Sequence, residues 1–485
     1  MLRNDDQIKL SIHRDLYEIV VPQGHLLRKI KENVSFSFVN PMLKKSYCEN
    51  FGRPAKEPEM MFKLLFLKKL YDLSDEALIE NAHVNMAYKY FLNLDPEDDV
   101  IDASLLTKFR KTRISEDILE EMLRETVKQA IEKGLVKSRA IIVDATHTSS
   151  KSQSESPTII LRELTKKLRR EVYETQPDIS VCFPEKPSCE ACLDEEIEYS
   201  KALVKSTVSD IMKSGSPRAK KLLAKIETLL NDDKIRVVRS HTDEDARHGH
   251  KTATQRFFGY KTHIAMTEER IITALTVTSG EKADGGQFIH LVEQSGKTGM
   301  LIDEIIGDKA YMNNSNFTYA QNKGIRMIAR VHQNVSDGMS HGKQGFEFNK
   351  DADAMQCPAG ELSMNALVKT IRGRKYVKYY FSIKKCKNCP QMNGCYNAGA
   401  RECTYTQRLN TPEVAAQIAF SNSDYFKKRI IERYKIEAKN FELKQIHGLA
   451  KCDSVGLSAM RLQSYITAFA VNIKRMIKLG ETMMV

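Results

Sequence analysis

Apolar residues change their spacing several times along this chain, and each change marks a different kind of element. Up to about Gly134 the period is helical. In Met61-Phe-Lys-Leu-Leu-Phe-Leu-Lys-Lys-Leu70 a dense apolar run is interrupted by lysines at helical spacing, giving a buried face and a basic one. Ser74 reads as the N-cap of the next helix, with Asp75 and Glu76 suiting its positive end and Leu73 placed to staple onto Leu78. After the acidic loop Asp95-Pro-Glu-Asp-Asp99, the stretch Asp102-Ala-Ser-Leu-Leu-Thr-Lys-Phe-Arg110 carries a cap-like Ser104 and the basic residues Lys108 and Arg110. Ser115 then caps a helix whose Ile118, Leu119, Met122, Leu123, Val127 and Ile131 recur on one side, and Gly134 closes it.

The pattern switches at Arg139-Ala-Ile-Ile-Val-Asp-Ala-Thr-His147. Ala140, Ile142 and Asp144 would share one face of a strand and Ile141 and Val143 the other, as in a central strand covered on both sides that delivers Asp144 to its carboxyl end. A carboxylate there is costly unless something cationic sits beside it. A long polar stretch follows, with two basic, helix-period segments at Leu161–Arg170 and Lys220–Leu230. Alternation returns at Phe257–Ala265 and Ile271–Val277 around the turn-like Thr267-Glu-Glu-Arg270, which predicts a hairpin. A helix around Gln287–Glu293 leads to Glu304-Ile-Ile-Gly-Asp-Lys-Ala-Tyr311, where Asp308 follows a short apolar run, and Gly324–Val331 predicts one further strand after a crossover. The chain finishes in a basic helix and an amphipathic segment, Leu457–Met476, expected to pack on the sheet. Strand, insertion, hairpin, helix, strand, helix, strand and helical finish define the α/β class, with a mixed sheet flanked by helices.

A length of 485 residues implies more than one unit. The predicted division is an N-terminal helical domain at 1–135, a core assembled from 136–150, 235–345 and 405–485, a basic helical insertion at 151–234, and a cysteine-rich insertion at 346–404. The formal charge of +12 is spread along the chain, which suits a protein meeting a polyanion over a broad surface and equally suits a solvated basic enzyme. The N-terminal domain likewise reads as a DNA-gripping module or as a bundle that only packs. There is no apolar leader at the N-terminus and no run of ~18 apolar residues, so the expected location is the cytoplasm, associated with the nucleoid, with no membrane partner.

Ten cysteines in a reducing compartment point to thiols or metal ligands instead of disulfides. Cys182, Cys189 and Cys192 lack a fourth partner and read as free thiols. Cys357, the Cys386-Lys-Asn-Cys389 pair and Cys395 have the makings of a tetrahedral structural zinc site, with Cys403 left over.

The chemistry concentrates on Glu437. Arg433 precedes it by four residues and Lys444 follows by seven, so on a regular helix the three project from one side. Such a row is either a surface salt-bridge ladder or a metal-holding acid flanked by cations that contact phosphates. Three carboxylates brought together from Asp144, Asp308 and Glu437 would hold two hard divalent cations, Mg²⁺ or Mn²⁺, roughly 3.5–4 Å apart, an arrangement suited to phosphodiester chemistry. With 63 acidic residues, pattern alone does not select these three.

Resemblance does. Asp144 in its strand, Gly307-Asp308-Lys309-Ala310-Tyr311, and Arg433-x3-Glu437-x6-Lys444 together resemble the catalytic core of bacterial insertion-sequence transposases of the DDE type, whose core is RNase H-like. The stretch Ile436–Gly448, preceded by the cysteine block, is similar to the eleven-eighty-two group of insertion sequences. Asp102-x-Ser-Leu-x-x-Lys-Phe-Arg110 resembles the end of that group's N-terminal domain, and Thr242–Arg247 followed by Phe258-Gly-Tyr-Lys261 resembles its hairpin entry. The resemblance implies metal-dependent cleavage at the ends of a mobile element and joining to target DNA, by copies assembled on DNA. Asp144, Asp308 and Glu437 are then the ligands of two magnesium ions, and Arg433, Lys444, Lys309, Lys108 and Arg110 the DNA contacts. Ile430 stands where related enzymes carry a tyrosine, and Glu432 and Glu442 read as solvated charges. Two rival readings stand beside it: a DNA-binding regulator that does not cut, and a nuclease that hydrolyses without joining.

Overall fold

The computed structural model describes residues 11–48, 54–175, 183–252, 254–331, 345–371, 374–392, 395–397, 399–408 and 412–483. Cys182 lies outside the described residues. The central sheet is built from β1 (Ala140–Ser149), β2 (Arg247–His250), β3 (Arg256–Thr267), β4 (Ile272–Ser279), β5 (Glu304–Ile306) and β6 (Arg326–Ile328). Its order is β4-β3-β1-β5-β6, with β2 on the first residues of β3. β3 runs antiparallel to β1 and β4, whereas β5 and β6 are parallel to β1. This is the RNase H-like arrangement, a mixed sheet whose parallel half is reached through helical crossovers.

β1 does not end at Asp144, contrary to the reading of its pattern. Its ladder with β3 continues from Asp144↔Ile264 to Ser149↔Gly259, while β5 pairs only Ala140, Ile141 and Ile142. Asp144 is therefore mid-strand, at the level where β1 loses its parallel neighbour. Ile142 faces one apolar cluster, and Ile141 and Val143 face another around Phe288, Leu291 and Tyr311.

The helix Leu457–Met483 is where the chain departs furthest from an amphipathic pattern. Every residue from Gln463 to Ile473 is buried. The cause is packing on two sides: the helix lies against β4 and also against the N-terminal helices Pro58–Leu70 and Glu116–Glu132. Phe469 meets Phe62 edge-on at 5.2 Å, Tyr465 Oη donates to the Leu275 carbonyl at 2.9 Å, and Asn472 satisfies both the N–H and the carbonyl of Ile272. The N-terminal helices consequently share one core with a face of the sheet. Ser74 and Ser115 cap their helices as expected, but the cap of Ala103–Arg113 is Asp102, which accepts from the Ser104 N–H. A short acid at the residue before the helix reaches that donor without bending the first turn.

The first insertion holds three helices, Pro157–Thr175, Leu193–Ser214 and Pro217–Leu230, where two were expected, and they enclose an apolar cluster of their own. The second contains the hairpin β7 (Glu347–Asn349) and β8 (Ala354–Gln356), then a three-stranded sheet of β9 (Asn365–Ile371), β10 (Arg374–Phe381) and β11 (Cys403–Arg408). It too has a separate small core, around Val377, Tyr379 and Phe381.

Within the N-terminal helices, Asp75 joins two elements: Lys68 Nζ lies 2.7 Å from it and Arg110 meets it with two guanidinium nitrogens. Burial would raise its carboxyl, but these hydrogen bonds and charges bring it from 3.8 down to about 2. A carboxyl depressed on folding stabilises the native state above its unfolded pKa, and that contribution fades as pH falls toward the folded value. Asp75→Asn is expected to lower stability by about 1–3 kcal/mol at pH 7, with the difference from wild type shrinking between pH 4 and pH 2 in thermal melts.

Candidate active site

Continuing the β1–β5 register beyond Ile142↔Ile306 sets Val143 beside Gly307 and Asp144 beside Asp308. Gly307 permits this approach, since a Cβ there would lie 3.0 Å from Val143 Cγ2 and 3.3 Å from Tyr311 Cδ2. Asp308 then leaves the sheet as the N-cap of the single turn Lys309–Tyr311, accepting the Lys309 N–H. Tyr311 is fully buried between the two strands' ends, within electrostatic range of both Asp144 and Asp308.

Glu437 lies on the helix Tyr434–Phe441. Ile436 and Leu443 are buried beneath it, and the preceding helix Asp424–Ile431 is pinned by Phe426 and by Arg429, which spans Glu304 at 2.8 Å and Glu268 at 2.7 Å. Glu437 itself faces outward, with its side chain 62% exposed. Arg433 ties it to the strand end: Nη2 is 3.5 Å from Glu437 Oε1 and 3.7 Å from Asp308 Oδ2. The helix does not continue regularly to Lys444. A π turn spans Glu442–Ile446, and Lys444 is half-buried within electrostatic range of Asp144. Arg433 thus stands by the second and third acids and Lys444 by the first. Glu442 is not simply solvated, because it pairs with the buried Lys439 at 2.7 Å. Glu432 pairs with Lys435, and Ile430 is partly buried against the core.

The surroundings of Asp144 hold the cationic neighbour that a buried carboxylate requires. Its Oδ2 accepts from Asn440 Nδ2 at 3.1 Å, leaving Asn440 Oδ1 buried without a hydrogen-bond partner. Its Oδ1 is taken by the ammonium of Lys350, which comes from the turn of the β7–β8 hairpin. Lys350 also lies 3.3 Å from Asp284, which in turn holds Lys261 at 3.0 Å. Burial would raise the Asp284 carboxyl, yet the adjacent Lys261, Lys350 and His263 bring it well below the usual carboxylate range. Burial likewise opposes the Lys350 charge, but Asp144 and Asp284 raise its pKa well above that of free lysine. Burial pushes Asp351 up to about 6 and His263 down to about 4, so His263 is neutral at pH 7. Among the described residues, no three His, Cys, Asp or Glu side chains are gathered at metal-holding distance. A lysine supplies the positive charge beside Asp144 instead.

Three families cover much of the chain. One described as Transposase domain (DUF772) matches residues 15–112, and two described as Transposase DDE domain match residues 227–350 and 356–477. The chain belongs to the DDE transposases of insertion sequences. An uncharacterized protein, ORF8 in the nfe locus of Rhizobium meliloti, is 35% identical to this transposase over 92 residues, 19% of this chain and 44% of the relative. The chain thus spans less than half of that curated relative. No solved structure matches.

Elsewhere in the transposase, Lys309 lies 2.5 Å from Asp353 on the hairpin turn, Lys108 is exposed, and Arg110 is held by Asp75. Cys189 and Cys192 are exposed thiols. Cys357, Cys386, Cys389 and Cys395 line one cavity of about 40 Å³, and the leftover Cys403 lines it as well. Burial and the hydrogen bond that Cys386 donates to Cys403 push the Cys386 thiol up to about 12. No helix among the described residues is long and apolar enough to cross a membrane.

The tight strand contact at Gly307 has a measurable consequence. Gly307→Ala should shift Val143 or Tyr311 and lower stability by about 1–3 kcal/mol, read as a reduced denaturant midpoint, with Gly307→Val worse than Gly307→Ala.

Proposed function

We propose that this transposase cleaves DNA at the ends of its element and joins those ends to target DNA, with Asp144, Asp308 and Glu437 as the ligands of two divalent cations. The observation that carries this reading is that Asp144 and Asp308 each lie two residues beyond the last β1–β5 pair, Ile142↔Ile306, with Arg433 reaching from Asp308 to Glu437. The donor set fits hard cations: carboxylate oxygens from a strand, the turn after a second strand and a helix, and beside them the unpartnered Asn440 Oδ1. Bound there, magnesium or manganese makes an attacking water or 3′-hydroxyl more nucleophilic and stabilises the leaving oxygen.

The chain's own residues do the rest. Arg433 keeps the exposed Glu437 turned toward Asp308 and, with Lys444 and Lys309 around the acids, offers charge to backbone phosphates. On the N-terminal helices the exposed Lys108 is a further DNA contact, and Arg110 becomes one by exchanging Asp75 for a phosphate. Copies of the chain assemble on the DNA, one at each element end.

With labelled element ends and Mg²⁺, wild type should give cleaved and strand-transfer products. Asp144→Ala, Asp308→Ala and Glu437→Ala should each lower both by at least about 100-fold while end binding in gel shifts persists. Binding without cutting would make the protein a regulator, cleavage without joining a nuclease, and retained cleavage in any one variant would remove that residue from the site.

The cysteine cavity has the donor chemistry of a structural zinc site, sulfur atoms from three separate segments within apolar walls, and Cys357, Cys386, Cys389 and Cys395 are proposed as its ligands. Metal analysis of purified protein should find about one zinc per chain, lost in Cys386→Ser with a lower melting temperature. A metal-free wild-type protein that melts cooperatively would leave all five as ordinary thiols.

A further inference from the structure

We propose that Lys350 is a resident counter-ion that takes the place of a divalent cation on Asp144, and that Asp284 is the carboxylate onto which its ammonium moves when the cation arrives. The inference rests on the reading of Asp144 as a metal ligand and adds what the protein does with that acid beforehand. Asp144 and Asp284 are both almost wholly buried, with side chains 9% and 2% exposed, and Lys350 between them is 8% exposed. An ammonium and a divalent cation cannot occupy the same carboxylate oxygen, so the contact at Asp144 Oδ1 must open before that oxygen can ligate metal.

The geometry provides a destination. Asp284 Oδ1 is engaged by Lys261, whereas Oδ2 faces Lys350 at 3.3 Å, short enough for a rotamer change to transfer the charge. The lysine's backbone has no need to move. Asn349 Nδ2 donates to Gln356 Oε1 at 3.0 Å, and Gln356 Nε2 donates to the Glu281 carbonyl at 2.7 Å, so the hairpin is fastened to the loop that carries Asp284. The Tyr311 ring lies 5.7 Å from the ammonium. The cluster stays near charge balance in either state. Without metal, Lys350 offsets Asp144; with metal, Lys350 and Lys261 together face Asp284 and Asp351, the latter 3.9 Å from Lys261.

Manganese binding to the full chain without DNA, followed by the electron paramagnetic resonance of free Mn²⁺, tests the exchange. Lys350→Gln keeps a hydrogen-bond donor for Asp144 but removes the competing charge, and should bind Mn²⁺ about tenfold more tightly than wild type. Lys350→Met should do the same and serves if the glutamine variant fails to melt cooperatively. Lys350→Arg, which keeps the charge, should not tighten binding. Asp284→Asn leaves the ammonium nowhere to go and should weaken binding. Unchanged or weaker binding in folded Lys350→Gln and Lys350→Met would overturn the counter-ion role. Asp144→Ala separates the two readings: if it binds Mn²⁺ as wild type does, the assignment of Asp144 as a ligand is what fails, whereas lost binding there with no gain at Lys350 refutes the exchange alone.

Discussion

Around Asp144 the two ladders of β1 have unequal lengths: pairing with β5 stops at Ile142 and Ile306, while pairing with β3 runs on to Ser149. The rest of the site depends on that mismatch. Side chains of a strand project above and below the sheet, so what the early end of β5 supplies is room beside β1 for the turn that carries Asp308. Desolvation still penalises the charge, and the surrounding structure compensates with Lys350 and the Asn440 amide. Gly307, Asp308 and Tyr311 occupy the edge just vacated by β5, so the second acid arrives where the first emerges.

Placement of the third acid is a matter of packing from further away. The helix bearing Glu437 is set by Ile436 and Leu443 beneath it and by Arg429 clamped between Glu304 and Glu268, all on the side away from the chemistry. Behind it the helix Leu457–Met483 fills the space between sheet and N-terminal helices, which makes those parts one hydrophobic body. The two insertions differ in kind from this body. Each closes around its own apolar cluster, so each adds surface without disturbing the core. The second nonetheless reaches back, because the β7–β8 turn carries Lys350, Asp351 and Asp353 to Asp144, Lys261 and Lys309.

Several elements were legible because their cause is local. The β3–β4 hairpin follows from alternation around a tight turn, the caps at Ser74 and Ser115 from one hydroxyl each, and the α/β class from the order of periods. Errors arose where neighbours intervene. The helix Leu457–Met483 reads as one-sided but is covered on two sides, and the helical spacing of Glu437 and Lys444 is interrupted by a π turn that no single residue announces. Cys403 looked unattached only because its partners lie on other segments.

Taken alone, the amino-acid order determined the elements, the class of fold and, through motif resemblance, the family and the three acids worth following. It carried no sign of Asp284 or Lys350, and although Lys261 and Asn440 fall within stretches that carry the resemblance, nothing local to them announces their buried acidic partners. Tertiary structure decided those, and it decided that β1 passes Asp144 without ending. The physical reason is that hydrophobic periodicity and capping act over a few residues, whereas strand register and the neutralisation of a buried charge are settled by whichever segments the fold brings within a few ångströms.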